Sequence, residues 1–473
     1  MKKQLLTAAI LCCFVIAGST AAPKSAKKKP KIPVSRVQTH MDGYLGDRID
    51  ACIRVRVCSE DPDLLVAPMR RQTETSLWQS EFWGKWTLGA IATYRYNKDP
   101  ELLRKIEGGV ESLLVTQQPD GYIGNYAPEA QLTNWDVWGR KYTMLGLLAY
   151  YDLTGDKKAL DGTVRLADHL LTQIPAVRQI ERTGIYRGMS SCSILEPIML
   201  LYNRTLDEKY LDFARYIVDR MESADGPQLI AKALDGFPVS ERFPLDDPSR
   251  GWFVWENGQK AYEMMSCYDG LLELYKVTND PRYLKAVEAT VTSIIADEIN
   301  IAGSGSSFEC FYKGKALQTE PAYHTMETCV TMTWMKLCYD LLRLTRNPLY
   351  ADQIERSAYN ALAASMKEDA SQIAKYSPLE GARSAGEEQC GMHVNCCNMN
   401  GPRAFALLPE AAVTDYGDEL FVNLYGPMSS TVRLDGGEVL LEQATSYPEQ
   451  GDIEIMIDPR KRRANCLPSS VRM

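Results

Sequence analysis

One phrase recurs along this chain of 473 residues and limits how it can fold. It reads Tyr151-x-x-Thr154-Gly-Asp156, Tyr202-x-x-Thr205-x-Asp207 and Tyr275-x-x-Thr278-Asn-Asp280, with looser forms at Tyr94-x4-Asp99 and Leu342-x-x-Thr345-x-Asn347. Each copy closes an apolar helical stretch. Each is followed by a second, amphipathic stretch, as in Tyr210–Val218 and Tyr283–Val291. The aromatic ends one helix, the polar turn reverses the chain, and the next helix returns. This is a helical-hairpin repeat at intervals of roughly 50–75 residues. Such hairpins cannot bury their apolar faces alone, so they stack on one another. About six of them closing into a ring predict a mainly α fold, an (α/α)6 toroid, with an open superhelix as the alternative.

The rest of the chain frames that repeat. Residues 1–22 read as a secretory signal: Lys2-Lys3, then the apolar Leu5–Ala17, then the small residues Ser19–Ala22. The apolar run is too short to span a bilayer, and no later segment is long enough. Residues 23–40 read as a basic, disordered leader, 41–413 as the barrel and 414–459 as the start of a β-sandwich domain. In that last region Leu420–Tyr425, Ser430–Leu434, Glu438–Glu442 and Ile453–Ile457 have strand patterns, with Asp435-Gly436-Gly437 as a hairpin turn. Residues 460–473 have no strand pattern and read as a truncated or frame-shifted end, leaving the sandwich incomplete. A net charge of −8 argues against nucleic acid as a partner. Export permits disulfides, and Cys52 with Cys58 is a pair that could bridge. Cys192, Cys267, Cys310 and Cys338 lie in apolar surroundings and read as core.

Long loops between the hairpins would gather at one end of the toroid: Gln117–Trp138, Ile180–Ser193, Pro238–Gly258 and Ile301–Met326. They are rich in Trp, Tyr, Asp, Asn and Gly, which suits sugar recognition. Two cysteine elements carry the chemistry. Glu327-Thr328-Cys329 precedes the helical pattern Val330, Trp334, Leu337, Leu341, Leu344, so it sits at a helix N-terminus. Cys396-Cys397 follows, in a stretch whose Asn395, Asn398, Asn400, Gly401 and Pro402 predict an irregular loop. Three thiols and a carboxylate suit tetrahedral zinc, with ligands at roughly 2.0–2.3 Å. The competing reading is that the cysteines are buried small hydrophobes.

Glu-x-Cys on entry to an apolar helix, with Cys-Cys about 70 residues later, resembles glycoside hydrolase family 127, the retaining β-L-arabinofuranosidases. Supporting segments are Trp78-x-x-Glu81-Phe-Trp-Gly-Lys85-Trp86, Gln118–Gly124 and Trp138-Gly-Arg-Lys-Tyr142. The resemblance implies an (α/α)6 barrel followed by β-sandwich domains, and zinc held by Glu327, Cys329, Cys396 and Cys397. It also implies Cys396 as a nucleophile forming a thioglycosyl intermediate. Glu309 best matches the family's acid/base glutamate, with Glu320 as second choice, and its neighbours Phe308, Cys310 and Phe311 are expected to raise its pKa by desolvation. Where the family commonly places pocket histidines this chain has Tyr142 and Lys260, and Trp138 and His324 complete the expected sugar contacts. Lys260, Arg140 and Lys141 would favour a carboxylate-bearing pectic sugar over plain arabinofuranose, unless they pair with barrel acids. His393 reads as a loop histidine or a partner of a metal ligand. The expected function is an exported retaining glycosidase acting on pectic or arabinose-containing glycans. The alternative is a truncated, non-catalytic sugar-binding barrel with a structural zinc site.

Overall fold

The computed structural model describes residues 36–243, 259–386, 388–417, 419–434 and 437–459. The signal at 1–22, the leader up to residue 35, the loop residues 244–258, the turn at 435–436 and the tail at 460–473 lie outside the described residues. Among the described residues, no helix is long and apolar enough to cross a membrane.

The chain forms α1 (Gly43–Cys52), α2 (Pro62–Arg71), α3 (Ser80–Asn97), α4 (Pro100–Leu114), α5 (Asp136–Thr154), α6 (Lys157–Gln173) and α7 (Leu195–Thr205). It continues through α8 (Glu208–Met221), α9 (Ala261–Thr278), α10 (Pro281–Ser293), α11 (Thr328–Thr345), α12 (Pro348–Ser357) and α13 (Cys396–Ala412). Helices α3, α5, α7, α9, α11 and α13 pack each against the next, and α13 packs back on α3, so the inner ring closes. Helices α4, α6, α8, α10 and α12 each return along the outside of the inner helix before them, and α1 packs against α13. The inner helices are buried nearly all round: in α5 every residue from Asp136 to Leu148 is buried. The outer ones bury one stripe, such as Tyr210, Phe213, Ala214, Ile217 and Met221 of α8.

The recurring phrase is a local hydrogen-bond device. At each hairpin the residue after the inner helix is left-handed: Lys98, Gly155, Leu206, Asn279 and Arg346 have φ between 54° and 75°. Its N–H bonds back to the carbonyl of Tyr94, Tyr151, Tyr202, Tyr275 or Leu342. The next acidic or amide residue then caps the outer helix, as Asp156 does by accepting from the Lys158 N–H at 2.9 Å. The threonine Oγ1 accepts from that cap's own N–H, 3.1 Å for Thr154 and Asp156. Each of the first five inner helices is followed by such a reversal, so those helices run parallel with their N-termini at one end, while α13 leads directly into Val413 and the C-terminal strands. Close approach tightens the ring between α3 and α5. A Cβ on Gly84 would run into the Tyr142 carbonyl, and one on Gly146 would lie 2.7 Å from the Trp83 ring.

Three expectations are corrected. Cys396-Cys397 is not in an irregular loop: it opens α13, which runs on through Pro402 and Pro409. The helix survives its prolines because nearly every residue from Cys396 to Ala412 is buried against α3 and α11, and tertiary packing outweighs local preference. The leader ends earlier than residue 40, since Val37–Met41 forms β1. Cys52 and Cys58 are both free thiols.

The C-terminal strands are β2 (Val413–Tyr416), β3 (Glu419–Val422), β4 (Met428–Leu434), β5 (Gly437–Thr445) and β6 (Ile453–Pro459). Strands β2 and β3 make a two-stranded antiparallel ribbon. The others form a sheet in the order β1-β4-β5-β6, with Val37 opposite Val432 and Met41 opposite Met428. The N-terminal strand thus covers the β4 edge. One face of β4, Met428, Ser430 and Val432, is buried.

Candidate active site

The thiols and the carboxylate meet where two inner helices begin. Glu327 is the residue before α11, Cys329 lies in its first turn, and Cys396 and Cys397 open α13. The Asn395 side chain caps α13 by accepting from the Asn398 N–H at 2.9 Å. The Thr328 N–H donates to the Lys375 carbonyl at 3.0 Å, tying the start of α11 to the stretch of chain that precedes α13. Adjacent residues of a helix diverge by only about 100°, so in a first turn both sulfurs can reach one point. The Cys329 and Cys397 Sγ atoms are 3.4 Å apart, those of Cys396 and Cys397 3.9 Å. Glu327 Oε1 lies 3.7 Å from Cys396 Sγ and 3.5 Å from Cys397 Sγ. One donor atom from each residue falls within 4.8 Å of all the others, and all four residues are buried. Two helix N-termini aim their positive ends at this cluster, which favours thiolate. Hydrogen bonds from Cys329 and Cys397 draw the Cys396 thiol well below its ordinary pKa. Burial pushes Cys329, Cys397 and Glu327 up.

The cluster forms part of the wall of a pocket of about 370 Å³ built on the N-terminal ends of the inner helices. Cys396, 8% exposed, is the cluster thiol that lines it, while Cys329 and Cys397 lie behind at 0%. Trp78, Trp135 and Tyr186 supply an aromatic side: Trp78 meets Trp135 edge-on at 5.6 Å, and Tyr186 meets Trp135 at 6.0 Å. Trp138 lines the pocket, and its indole N–H donates to Glu81. Glu81 Oε1 also pairs with Lys85 Nζ at 2.8 Å, one turn along α3. The Lys85 ammonium lies over the rings of Tyr142 and Tyr262 at 5.1 and 4.8 Å.

Glu309 enters on a turn made for it. Ser307 and Cys310 exchange backbone hydrogen bonds of 2.9 and 2.8 Å, leaving Phe308 and Glu309 as the two central residues. Both have positive φ, 48° and 66°, as a type I′ turn requires. Holding two non-glycine residues there costs about 1–3 kcal/mol each. Backbone bonds from Ala261 N–H to the Glu309 carbonyl and from Phe311 N–H to the Gln259 carbonyl fasten the turn to the start of α9. Glu309 Oε2 pairs with Lys260 Nζ at 3.0 Å; its Oε1 pairs with Lys375 Nζ at 3.0 Å and accepts from the Tyr376 hydroxyl at 3.1 Å. The expected rise in its pKa is therefore reversed. Burial does oppose ionisation, but the two ammonium groups hold the carboxyl well below its usual range. Glu320 is exposed and does not line the pocket.

Of the sugar contacts expected, Trp138 and Lys260 line the pocket and Tyr142 and His324 do not. Tyr142 lies beneath, its hydroxyl bonded to that of Tyr262. His324 packs between Phe308 and Tyr376, ring centroids at 4.7 and 4.8 Å. The cations offered to an acidic sugar are engaged inside the protein. Arg140 pairs with Asp136 at 2.6 Å, Lys141 lies 4.0 Å from Glu196, and Lys260 holds Glu309. His393 Nε2 pairs with Glu60 at 2.7 Å. Lys375, Glu263 and Gln389 line the pocket without having been picked out beforehand. Lys375 and Gln389 stand in loop sequence with no periodic signal. Glu263 had one: it lies a helical turn after Lys260.

Glu263, like Glu327, is a lining carboxyl with no ion pair among the described residues. It is 3% exposed, and its Oε2 has no hydrogen-bond partner among the described residues. Burial pushes it from 4.5 up to about 7, against the pull of Lys260. A carboxyl with a raised folded pKa binds more protons folded than unfolded. Its stabilising share is complete below pH 4.5 and is lost as pH rises through about 7. Glu263→Gln is therefore expected to melt higher than the parent at pH 8, by up to ~3 kcal/mol of stability, with the gap closing toward pH 5. Melting midpoints across that range test it, and parallel curves for the two proteins would refute it.

A closed ring of helical hairpins whose inner N-termini gather thiols, carboxylates and aromatic rings around one pocket is the frame of an (α/α)6 carbohydrate-active barrel. Residues 47–410 match the family described as Beta-L-arabinofuranosidase, GH127 catalytic domain, and the chain belongs to that family. A curated relative is the non-reducing end beta-L-arabinofuranosidase of Bifidobacterium longum subsp. longum, 22% identical over 424 residues. The match covers 82% of this chain and 62% of the relative, so the chain spans less than two thirds of that protein's length. The fold is shared with a GH127 beta-L-arabinofuranosidase from Geobacillus stearothermophilus: TM-score 0.68, 22% identity, 89% of this chain and 73% of that one. A second solved GH127 beta-arabinofuranosidase gives TM-score 0.65 and 21% identity over 89% of this chain and 69% of the other.

Proposed function

We propose that the chain is the catalytic part of an exported, retaining glycoside hydrolase. It would release terminal L-arabinofuranose, or a closely related neutral sugar, from plant cell-wall glycans. The observation that carries this is the position of Cys396: it belongs to the thiol cluster and also lines the pocket that holds Glu309. Export rests on the Lys2-Lys3 and Leu5–Ala17 pattern. A neutral sugar is favoured over an acidic pectic one because Lys260, Lys85 and Lys375 already hold carboxylates.

The donor set fits zinc: three thiols and a carboxylate with donor atoms within 4.8 Å, and a Glu327 Oε2 that is buried without a partner. Glu327, Cys329, Cys396 and Cys397 would hold it. Bound there, zinc would keep the sulfurs deprotonated and spread their charge. Cys396 Sγ attacks the anomeric carbon as the aglycone oxygen leaves with a proton, and water then displaces the sulfur, so configuration is retained. Glu309, held ionised by Lys260 and Lys375, is ready to take the proton from that water. To supply the first proton it must itself first take one up from solvent, which becomes possible when the bound sugar's hydroxyls compete for one of the two ammonium groups. Trp135, Trp138 and Tyr186 hold the sugar and exclude bulk water.

A non-catalytic sugar-binding barrel with a structural zinc is the second reading, and the locked carboxylate of Glu309 favours it. Metal analysis and covalent labelling separate the two. The catalytic reading expects about one zinc per chain, release of arabinose from arabinose-containing glycans, and a sugar adduct on Cys396 after treatment with an electrophilic furanose mimic. A folded, zinc-loaded protein that never labels and releases no sugar leaves the binding reading.

A further inference from the structure

Away from the pocket, a groove of about 550 Å³ opens between α1, the helical turn Ala358–Leu362 that continues from α12, and the turn joining β5 to β6. One tyrosine from each of these segments shapes it. The rings of Tyr44 and Tyr359 are near parallel, 13° apart in plane with centroids at 6.2 Å. Tyr447 stands at 80° to Tyr359, 5.5 Å away. All three line the groove. Two of the three are fixed by their hydroxyls. Tyr359 donates to the Tyr425 carbonyl at 2.9 Å, and Tyr447 donates to Glu355 Oε1 at 2.5 Å. Tyr44 remains 50% exposed. Rings held in place in this way lose little freedom when a ligand settles on them.

We propose that this groove is a second, non-catalytic glycan-binding site that takes a neutral oligosaccharide. The C–H faces of sugar rings pack on fixed aromatic planes, and ring hydroxyls need polar partners at the edge. Asp352, Asn360 and Glu449 provide them on the rim. Charge disfavours acidic occupants. Asp352, Glu355 and Glu449 face a single cation, Arg356, whose Nε already donates to the Ile301 carbonyl at 3.2 Å. Acidic sugars, nucleic acid and acidic peptides are repelled. An apolar protein surface would have to strip water from these carboxylates without pairing them. The inference borrows from the catalytic reading only the choice of sugar used as probe.

The full chain is titrated with a neutral arabino-oligosaccharide and followed by saturation-transfer NMR and calorimetry. Tyr44→Ala is expected to bind about tenfold more weakly through loss of one stacked ring. It should hydrolyse a small aryl β-L-arabinofuranoside at the parent rate. Asp352→Asn, which leaves the rings untouched, should weaken binding severalfold. If the parent hydrolyses no aryl glycoside while Tyr44-dependent binding persists, the catalytic reading fails and the groove stands. If hydrolysis is intact while both variants bind like the parent, the groove proposal is overturned. Self-association that Tyr44→Ala abolishes also overturns it, since the groove is then an interface between copies.

Discussion

Cys396→Ala is expected to fold normally and to hydrolyse an aryl β-L-arabinofuranoside at least ~10⁴-fold more slowly than the parent protein. The site is already small and 8% exposed, so trimming one sulfur should change stability by no more than about 1–2 kcal/mol. The rate, in contrast, loses the group that bonds to the anomeric carbon. A lost metal donor and a lost nucleophile both lower activity, so the variant needs a readout specific to attack. Azide, small enough to enter the space the sulfur leaves, should restore turnover and give a glycosyl azide of inverted configuration. Cys329→Ala, which removes a cluster thiol lying behind the pocket wall, should lose metal and activity with no such rescue. If azide does nothing for Cys396→Ala, or rescues both variants alike, Cys396 is not the attacking group. Glu309→Gln offers a second contrast. It should slow the water step, and its loss should be smaller when an external nucleophile replaces water.

What could be read from the sequence was whatever is settled over a few residues. The hairpin phrase was legible because its left-handed residue, its Thr154-type hydroxyl and its Asp156-type cap make all these bonds locally, between Tyr151 and Lys158 in the first full copy. Glu327 was placed at the start of α11 because the apolar spacing of Val330, Trp334 and Leu337 is local. The same reasoning failed at α13. There Asn395, Gly401 and Pro402 speak for a loop, and only the fit against α3 and α11 makes a helix. The ionisation of Glu309 was misjudged for a related reason. Its apolar neighbours Phe308 and Phe311 are visible in sequence, but Lys375 reaches it from a distant loop. Strand β1 was missed because its partner β4 lies at the far end of the chain. Proximity among Glu327, Cys329, Cys396 and Cys397 was legible because residue type, rather than backbone conformation, drew attention to them.

Lys336→Met is expected to cost about 3–5 kcal/mol, a large part of the roughly 5–15 kcal/mol that holds a protein of this kind folded. Lys336 Nζ lies 3.0 Å from Glu196 Oε1, 3.0 Å from Asp269 Oδ2 and 3.1 Å from Asp340 Oδ2. Those acids stand on α7, α9 and α11, and Lys141 on α5 approaches Glu196 from the other side. One ammonium therefore ties neighbouring members of the inner ring where the apolar core is interrupted. Burial works against its charge, yet Asp269, Asp340 and Glu196 hold it protonated well above the ordinary lysine range. Methionine fills the same volume but leaves three carboxylates facing one another in a largely buried space. Lys141 stays near Glu196, and the rest of the repulsion is relieved by taking up protons. In the variant their folded pKa values then exceed the unfolded ones, so it should be least impaired at low pH and lose stability as pH rises. Lys313→Met is the control: its pair with Glu241 is half exposed, 55% and 51%, and water screens it, so removing it should leave stability close to the parent's. Urea unfolding of both variants between pH 5 and 8 measures the difference. A loss at Lys336 no larger than that at Lys313, or one independent of pH, would mean that the ring is held by its apolar packing alone and that the buried charges merely neutralise one another.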